Sequence, residues 1–532
     1  MKKTISNILF AALLVFAAAS CQKELGFEPQ SEGLRTITCY METPSDTKGG
    51  GGATLPEWHI GDQIWISNGT SSETKTLEAG DIDGNKVTLS TSLSGTLYAV
   101  CPASAQNGVT NDGKIGIKIP TSTTGTFAEA HIAVAQGDGT LSFKNAVTIL
   151  NIATSDAIAA VNISSTANIA GEFNVTYGSS LTLEAGASQA KSVTLTSSTG
   201  GARYVAIAPG TAFNTVTFTA IKTATNWAVR TSTSANSAAI NTIYTIGNVA
   251  NSGDGWTYTG DTNGSLWGQF SVSADKKVRF SKGNLQATYN GSSYDWDFAA
   301  NQYDFVGNNP GNTTIDSQTD GNKVDLFTWV GEGCSYDAYG INTANTGYST
   351  TDMNSPLKSD WGVAYCTSKS ITPTTTWYTL SSDYWGYIIN SRSASKINGT
   401  ANARYMKCQV DSKSGLLLFP DSFTWPTVSG APAESNATKI NNENADYSVT
   451  YTSAEFATLE AAGAVFLPAG GKRNGSSIES PEYGFYWSST HGTSDKWIAR
   501  YLYFNYNAYT HYVASTGNDT GGHGRSVRLV TD

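Results

Sequence analysis

"TLYAVCPAS", residues 96–104, decides how the first half of this 532-residue chain is read. A tyrosine-led apolar run is stopped at Pro102, and proline has no N–H with which to continue a central ladder. Its neighbours are built alike: "RTITCYME" (35–42), "LPEWHIGDQIWIS" (55–67), "GKIGIKIP" (113–120) and "LSFKNAVTILNIA" (141–153). Each is short, rich in β-formers and bounded by Gly, Pro, Asn or Ser, the spacing of an all-β sandwich. A second series over about 156–249 includes "GEFNVTY" (171–177), "KSVTLTS" (191–197) and "NTVTFTAIK" (214–222), and its "YVAIAPGT" (204–211) echoes "YAVCPAS" (98–104). The pattern predicts two tandem β-sandwiches, 36–155 and 156–250.

Composition points the same way. Only 14% of residues are charged, aromatics reach 11%, 53 residues are glycine, and long helical patterns are scarce. This is the make-up of a β-rich, loop-heavy, secreted chain, long enough for about three or four domains. The net charge is −10, and −12 without Lys2 and Lys3. An acidic surface repels phosphate backbones, so no nucleic-acid partner is expected. Six cysteines (Cys21, Cys39, Cys101, Cys334, Cys366, Cys408) include no CxxC pair. Neither a disulfide framework nor a structural zinc site is expected, and the state of Cys334, Cys366 and Cys408 stays open.

At the N-terminus, Lys2 and Lys3 precede twelve apolar residues, Ile8 to Ala19, and then "SCQKELG" (20–26). That run is shorter than the roughly 20 residues of a membrane-spanning helix and suits a secretory signal over 1–20. Ala18-Ala19-Ser20-Cys21 resembles the lipobox of bacterial lipoproteins, with alanine where the tightest pattern has leucine. The resemblance implies lipidation of Cys21; an ordinary signal peptide that happens to contain a cysteine is the alternative. Gln22 is not the aspartate that favours inner-membrane retention in some bacteria, so an outer-membrane, surface-facing lipid anchor is expected, followed by a polar tether over 21–35. Multiple acyl chains would make that attachment durable, since one chain binds only marginally.

Lys48 ahead of a glycine run, Trp58 with Gly61-Asp62-Gln63-Ile64, "YAVCPAS", "FAEAHIAVAQ" (127–136) and "FKNAVTILNI" (143–152) together resemble the fimbrillin family of type V pilins and related surface lipoproteins. The resemblance covers about 22–250 and implies two transthyretin-like sandwiches. In polymerising members an arginine-specific protease removes an N-terminal strand, and a neighbour's strand fills the groove by edge pairing. Arg35 is where such a cut could fall; a plain surface arginine is the other reading. Polymerising pilins donate a free C-terminal strand, whereas about 280 residues follow here. A tip or accessory component is therefore expected over a shaft subunit.

Residues 251–266 are mostly Gly, Ser, Asp, Asn and Thr and are read as a linker. Beyond them "GQFSVSADKKVRFSKGNLQATY" (268–289) predicts a hairpin turning near Ala274-Asp275. "TSAEFATLEAAG" (452–463) predicts a helix opened by a Thr452/Glu455 capping box and closed by Gly463, and "LSSDYWGYIINSR" (380–392) one capped by Ser382. Short helices among short strands suggest an α+β module over 267–532. Its "YWSST" (486–490) and "GRSVRLV" (524–530), with "VRFSKGNLQ", "FAANQYDFVG" and "VDLFTW", resemble the closing modules of gut-bacterial surface proteins, which are similar to C-type-lectin-like and formylglycine-generating-enzyme folds.

Neither relative's chemistry is carried over. The calcium-lectin strings are absent, and Cys366 and Cys408 lack the enzyme's context. His491, His511 and His523 form no i, i+4 pair, and the acidic loops lack a twelve-residue calcium frame. No catalysis, metal or cofactor is expected. The remaining candidate is an aromatic recognition surface of Trp487, Trp497, Tyr501, Tyr503 and Tyr506. Alternation puts Tyr501 and Tyr503 on one face and Leu502 and Phe504 on the other; one row is core, and an exposed tyrosine row would stack on sugars or partner side chains. The expected protein is thus mainly β: a lipid-anchored surface adhesin or fimbrial tip or accessory component. Its expected partners are the membrane, fimbrial subunits reached by strand exchange, and a host or bacterial surface glycan or protein. Polymerisation as a pilus subunit, or glycan capture for nutrient uptake, are the alternatives.

Overall fold

Three strands of the first half are apolar on both sides, and this decides how its sheets stack. The structure, a computed structural model, describes residues 34–42, 45–46, 56–155, 157–196, 200–249, 256, 258–259, 264–329, 340–341, 351–353, 360–371, 377–427, 429–492, 498–505, 515–520 and 522–532. The chain is mainly β. The strands that build its first cores are β1 (Arg35–Met41), β2 (Gln63–Ser67), β3 (Lys86–Thr91), β4 (Leu97–Cys101), β5 (Ile115–Ile119), β6 (Ala133–Gly137), β7 (Thr140–Asn145) and β8 (Thr148–Thr154). They continue as β9 (Ala160–Ser165), β10 (Ala170–Thr176), β11 (Ser192–Thr196), β12 (Gly201–Ile207), β13 (Val216–Thr223), β14 (Asn226–Thr231) and β15 (Thr242–Asn248).

In the first sandwich β1 lies between β3, antiparallel with Ile37 opposite Leu89, and β7, parallel with Cys39 opposite Leu141. β7 leads through β6 and β4 to β2. Ile64, Ile66, Leu97, Ala99, Cys101, Ala133 and Ala135 face the core that holds Ile37, Cys39, Trp58 and Phe143. The alternate residues Trp65, Val100 and Val134 face a second core. A sheet buried on both faces must be apolar at successive positions, which explains "QIWIS", "LYAVC" and "IAVA". Burial also pushes the Cys39 thiol up to about 12. The four described cysteines apart from the undescribed Cys21 and Cys334 are Cys39, Cys101, Cys366 and Cys408, and all are free and buried.

The second core belongs to the second sandwich. β8 pairs with β12 and β15, β9 with β11 and β13, and β10 with β5. The division expected at 155/156 therefore does not coincide with the pairing: β5 and β8 precede it yet complete the second sandwich. The expected linker differs as well. Trp256 is buried in the second core, and Leu266 in the core of the C-terminal module; the other residues of 251–263, apart from Tyr258 and Thr259, lie outside the described residues.

His131 lies beside the second core, between Ala130 and Ile132, 5% exposed, its ring stacked 5.4 Å from Phe127 and its Nε2 without a partner among the described residues. Burial lowers its pKa to about 4. The fold holds the neutral imidazole while the unfolded chain takes up a proton below about 6.5, so its contribution is intact above pH 6.5 and lost as pH falls toward 4. Comparing wild type with His131→Phe by urea denaturation is expected to reveal an excess acid loss of roughly 3 kcal/mol in the wild type. Parallel pH profiles for the two proteins would contradict it.

The C-terminal module packs helices and short sheets around three further cores. The predicted hairpin forms, with Phe270 opposite Val278. Its elements include β16 (Tyr405–Val410), β17 (Val465–Pro468), β18 (Gly484–His491), β19 (Ile498–Phe504) and β20 (Leu529–Thr531), and the helices α1 (Trp361–Ser368), α2 (Ser382–Gly386) and α3 (Ser453–Ala461). The α3 capping box is present: Thr452 Oγ1 accepts from Glu455 N at 3.2 Å and Glu455 Oε2 from Thr452 N at 2.8 Å. Gly463 follows at φ +98°, a left-handed conformation open to glycine. The α2 cap falls one residue earlier than expected: Ser381 Oγ accepts from Tyr384 N, and Ser382 is inside the helix.

This module docks on the outer face of the β11–β9–β13–β14 sheet. Ile221, Trp227 and Trp267 form a shared cluster. Trp227 Nε1 donates to Ser265 O at 3.2 Å and the Arg279 guanidinium lies 4.3 Å from the Trp227 ring centre, while within the module Trp267 Nε1 donates to Ala461 O at 2.8 Å. No helix among the described residues is long and apolar enough to cross a membrane.

Candidate functional site

Strand alternation builds the aromatic site. β18 and β19 run antiparallel, pairing Gly484 with Phe504, Phe485 with Tyr503, Tyr486 with Leu502 and Trp487 with Tyr501. Tyr486, Leu502 and Phe504 fill one core. Gly484 is required opposite Phe504, because a Cβ there would lie 1.9 Å from the ring. Phe485, Trp487, Tyr501 and Tyr503 occupy the other face.

That face is graded. Trp487 is 1% exposed and its Nε1 donates to Phe327 O at 2.6 Å. It is a core residue, and the expectation that it contacts a partner is corrected: burial leaves it no surface to offer. Tyr501 and Tyr503 are half-buried, with Phe485 packed 5.9 and 5.2 Å from them and Tyr483 5.8 Å from Tyr503. Trp497 and Tyr506 lie outside the described residues. Asn505 Nδ2 donates to the Tyr503 hydroxyl at 2.6 Å, and burial raises the Tyr503 pKa.

Beneath the rings lies Arg525, fully buried, its guanidinium carbon 3.9 Å from the Tyr501 ring centre and 4.8 Å from those of Phe485 and Trp487. Ring faces attract a desolvated cation by about 2 kcal/mol, so Arg525 holds the rows in place. In the sequence this arginine stands within "GRSVRLV", and nothing local ties it to the aromatics, because the pairing that joins them spans distant strands. Alternation from Trp487 does reach Phe485, whereas Tyr483, which precedes β18, has no such signal. Chemically, the face offers flat rings and phenol hydroxyls. No group of three metal-ligating side chains occurs among the described residues. Cys366 and Cys408 lie in separate cores with thiol pKa values raised by burial.

The other candidates lie at the far end of the chain. Cys21 is outside the described residues. Arg35 opens β1: its backbone pairs with Thr91, its Nη1 is bound by Asp138 and its Nη2 donates to Gly95 O at 2.6 Å. A protease would have to peel this end of the ladder, and a cut after Arg35 would leave Thr36–Met41 in the sheet.

No protein-family profile matches the chain, and no curated protein matches it. Solved structures with some likeness include a candidate cell adhesion protein from Bacteroides uniformis, 14% identical over 43% of this chain and 96% of that one, with a TM-score of 0.28. A fimbrial assembly protein from Parabacteroides distasonis is 10% identical over 46% of this chain and 94% of that one, with a TM-score of 0.23. A fimbrial protein from Bacteroides ovatus is 9% identical over 93% of this chain and 99% of that one, with a TM-score of 0.20. TM-scores this low do not define a shared fold.

Proposed function

We propose that the chain is a non-catalytic recognition protein of the cell surface, anchored through lipid on Cys21, in which two fused sandwiches carry a C-terminal head that acts in adhesion or as a fimbrial tip or accessory component. The observation that carries the reading is the run of contacts from β1 to the head: one sheet buried on both faces joins the sandwiches, and the Trp227–Trp267 cluster seats an edge of the head on the second. Such continuity suits a part that presents a surface at a distance. The lipobox-like and fimbrillin-like segments support the location, and the half-buried tyrosine face supplies contact area suited to a glycan or a protein side chain.

The test compares cells displaying the full chain with cells carrying Cys21→Ala. Wild type is expected in the membrane fraction with palmitate incorporated and with raised adherence to host or bacterial surfaces; the variant is expected unlabelled, released, and without the gain in adherence. Equal palmitate labelling of both, or no gain in adherence from the wild type, would reject the proposal. Recovery of strand-exchanged polymers would replace the accessory role with that of a polymerising subunit.

A further inference from the structure

Between the second sandwich and the head the contact is not filled. The margins touch, at Trp227–Trp267 and where Ser192 Oγ donates to Ser422 O at 3.4 Å. Behind them lies a cavity of about 290 Å³. Its sandwich wall comes from β9, β11 and β13, including Ala160 and Ile221; its head wall comes from α3, through Ala457 and Ala461, and from the rings of Trp267 and Trp425. The opening has a local cause. α3 turns alanines toward the sheet where larger residues would close the gap, so the two bodies meet at their edges and stand apart in the middle.

The lining defines a guest. It contains no ionisable side chain, and its polar side chains are hydroxyls, among them Thr194 and Thr458. A charged guest would lose its hydration with no counter-charge in return. Two indoles and a floor of methyl groups favour a flat apolar ring, while the hydroxyls suit one neutral polar substituent. Size sets the scale: an apolar cavity of roughly 150 Å³ holds benzene, so this one admits a bicyclic ring. Domain junctions are also where small-molecule sites are concentrated.

We propose that this cavity binds a small neutral aromatic molecule carrying a hydroxyl or amide group. The guest contacts both bodies at once, so occupancy stabilises the docked arrangement of head and sandwich by mass action. The site is separate from the aromatic face on β18 and β19 and does not depend on what that face recognises.

The probe is 1-naphthol, titrated calorimetrically into the full chain, with 1-naphthalenesulfonate as the charged counterpart. One saturable site is expected for 1-naphthol, with a melting temperature that rises with its concentration, and no binding is expected for the sulfonate. Ala461→Trp, from the helix side, and Ala160→Leu, from the sheet side, each occupy the guest's volume and are expected to weaken binding at least about tenfold by steric exclusion. If Ala461→Trp does not fold, the smaller Ala160→Leu decides. The proposal is overturned if the wild type does not bind 1-naphthol, if filled and unfilled proteins bind it equally, or if the sulfonate binds as well. A filled variant that melts higher while the wild type binds nothing identifies a packing void and overturns it too.

Discussion

Trp487→Ala is expected to destabilise the head by roughly 3–5 kcal/mol, the range for deleting a buried tryptophan from a core. The side chain is 1% exposed, lies 6.0 Å from Tyr501 in edge contact, receives the Arg525 guanidinium and donates to Phe327 O. Truncation therefore opens a cavity, strips one ring from a buried cation and leaves a carbonyl without its donor. Urea denaturation followed by near-UV circular dichroism reads the loss. Tyr503→Ala, on a half-buried ring of the same face, is expected to cost far less stability while reducing adherence. If Trp487→Ala is as stable as Tyr503→Ala, the face is not graded as described.

Arg528→Met is the second large effect, also roughly 3–5 kcal/mol, because it breaks a buried charged network on one side only. Arg528 Nη2 donates to Gln302 Oε1 at 2.8 Å, and the same oxygen accepts from Phe466 N at 2.8 Å. Gln302 Nε2 donates to Glu460 Oε1 at 2.9 Å. Burial raises the Glu460 pKa, against the opposing pull of that hydrogen bond and of the Arg528 charge. Without the guanidinium, half-buried Glu460 keeps only the Gln302 amide to offset the cost of its partial burial. A raised folded pKa means that the group favours folding below its unfolded pKa and opposes folding as pH rises through the folded value. The variant's deficit should therefore shrink on acidification and shrink again in Arg528→Met/Glu460→Gln. A deficit unchanged by both would show that packing, not charge, is what Arg528 provides.

Local rules were legible in the chain. The Thr452/Glu455 capping box and the Gly463 stop depend on residues within one or two turns, and both formed as spelled. The hairpin at 268–289 and the split of Tyr501 and Tyr503 from Leu502 and Phe504 follow from alternation alone. What escaped were properties that depend on distant partners. Alternation separates the faces of a strand but does not say which is covered, so Trp487 and Tyr503 read alike although one is core. The run "LYAVC" is apolar at successive positions, yet its second cover comes from β5 and β8, and nothing local revealed that these belong beyond position 155. The seat of Arg525 under three aromatic rings was invisible for the same reason. Ser381 and Ser382 are adjacent equivalents as caps, and tertiary packing chose between them.

The placement of β1 has a mechanical consequence. Under the proposed anchoring through Cys21, β1 is the first strand to carry tension when the far end of the molecule is held. β1 is clasped along its length, parallel to β7 on one side and antiparallel to β3 on the other. A pull along its axis at residue 34 loads both hydrogen-bond ladders in shear, so their bonds must fail together rather than unzip one at a time.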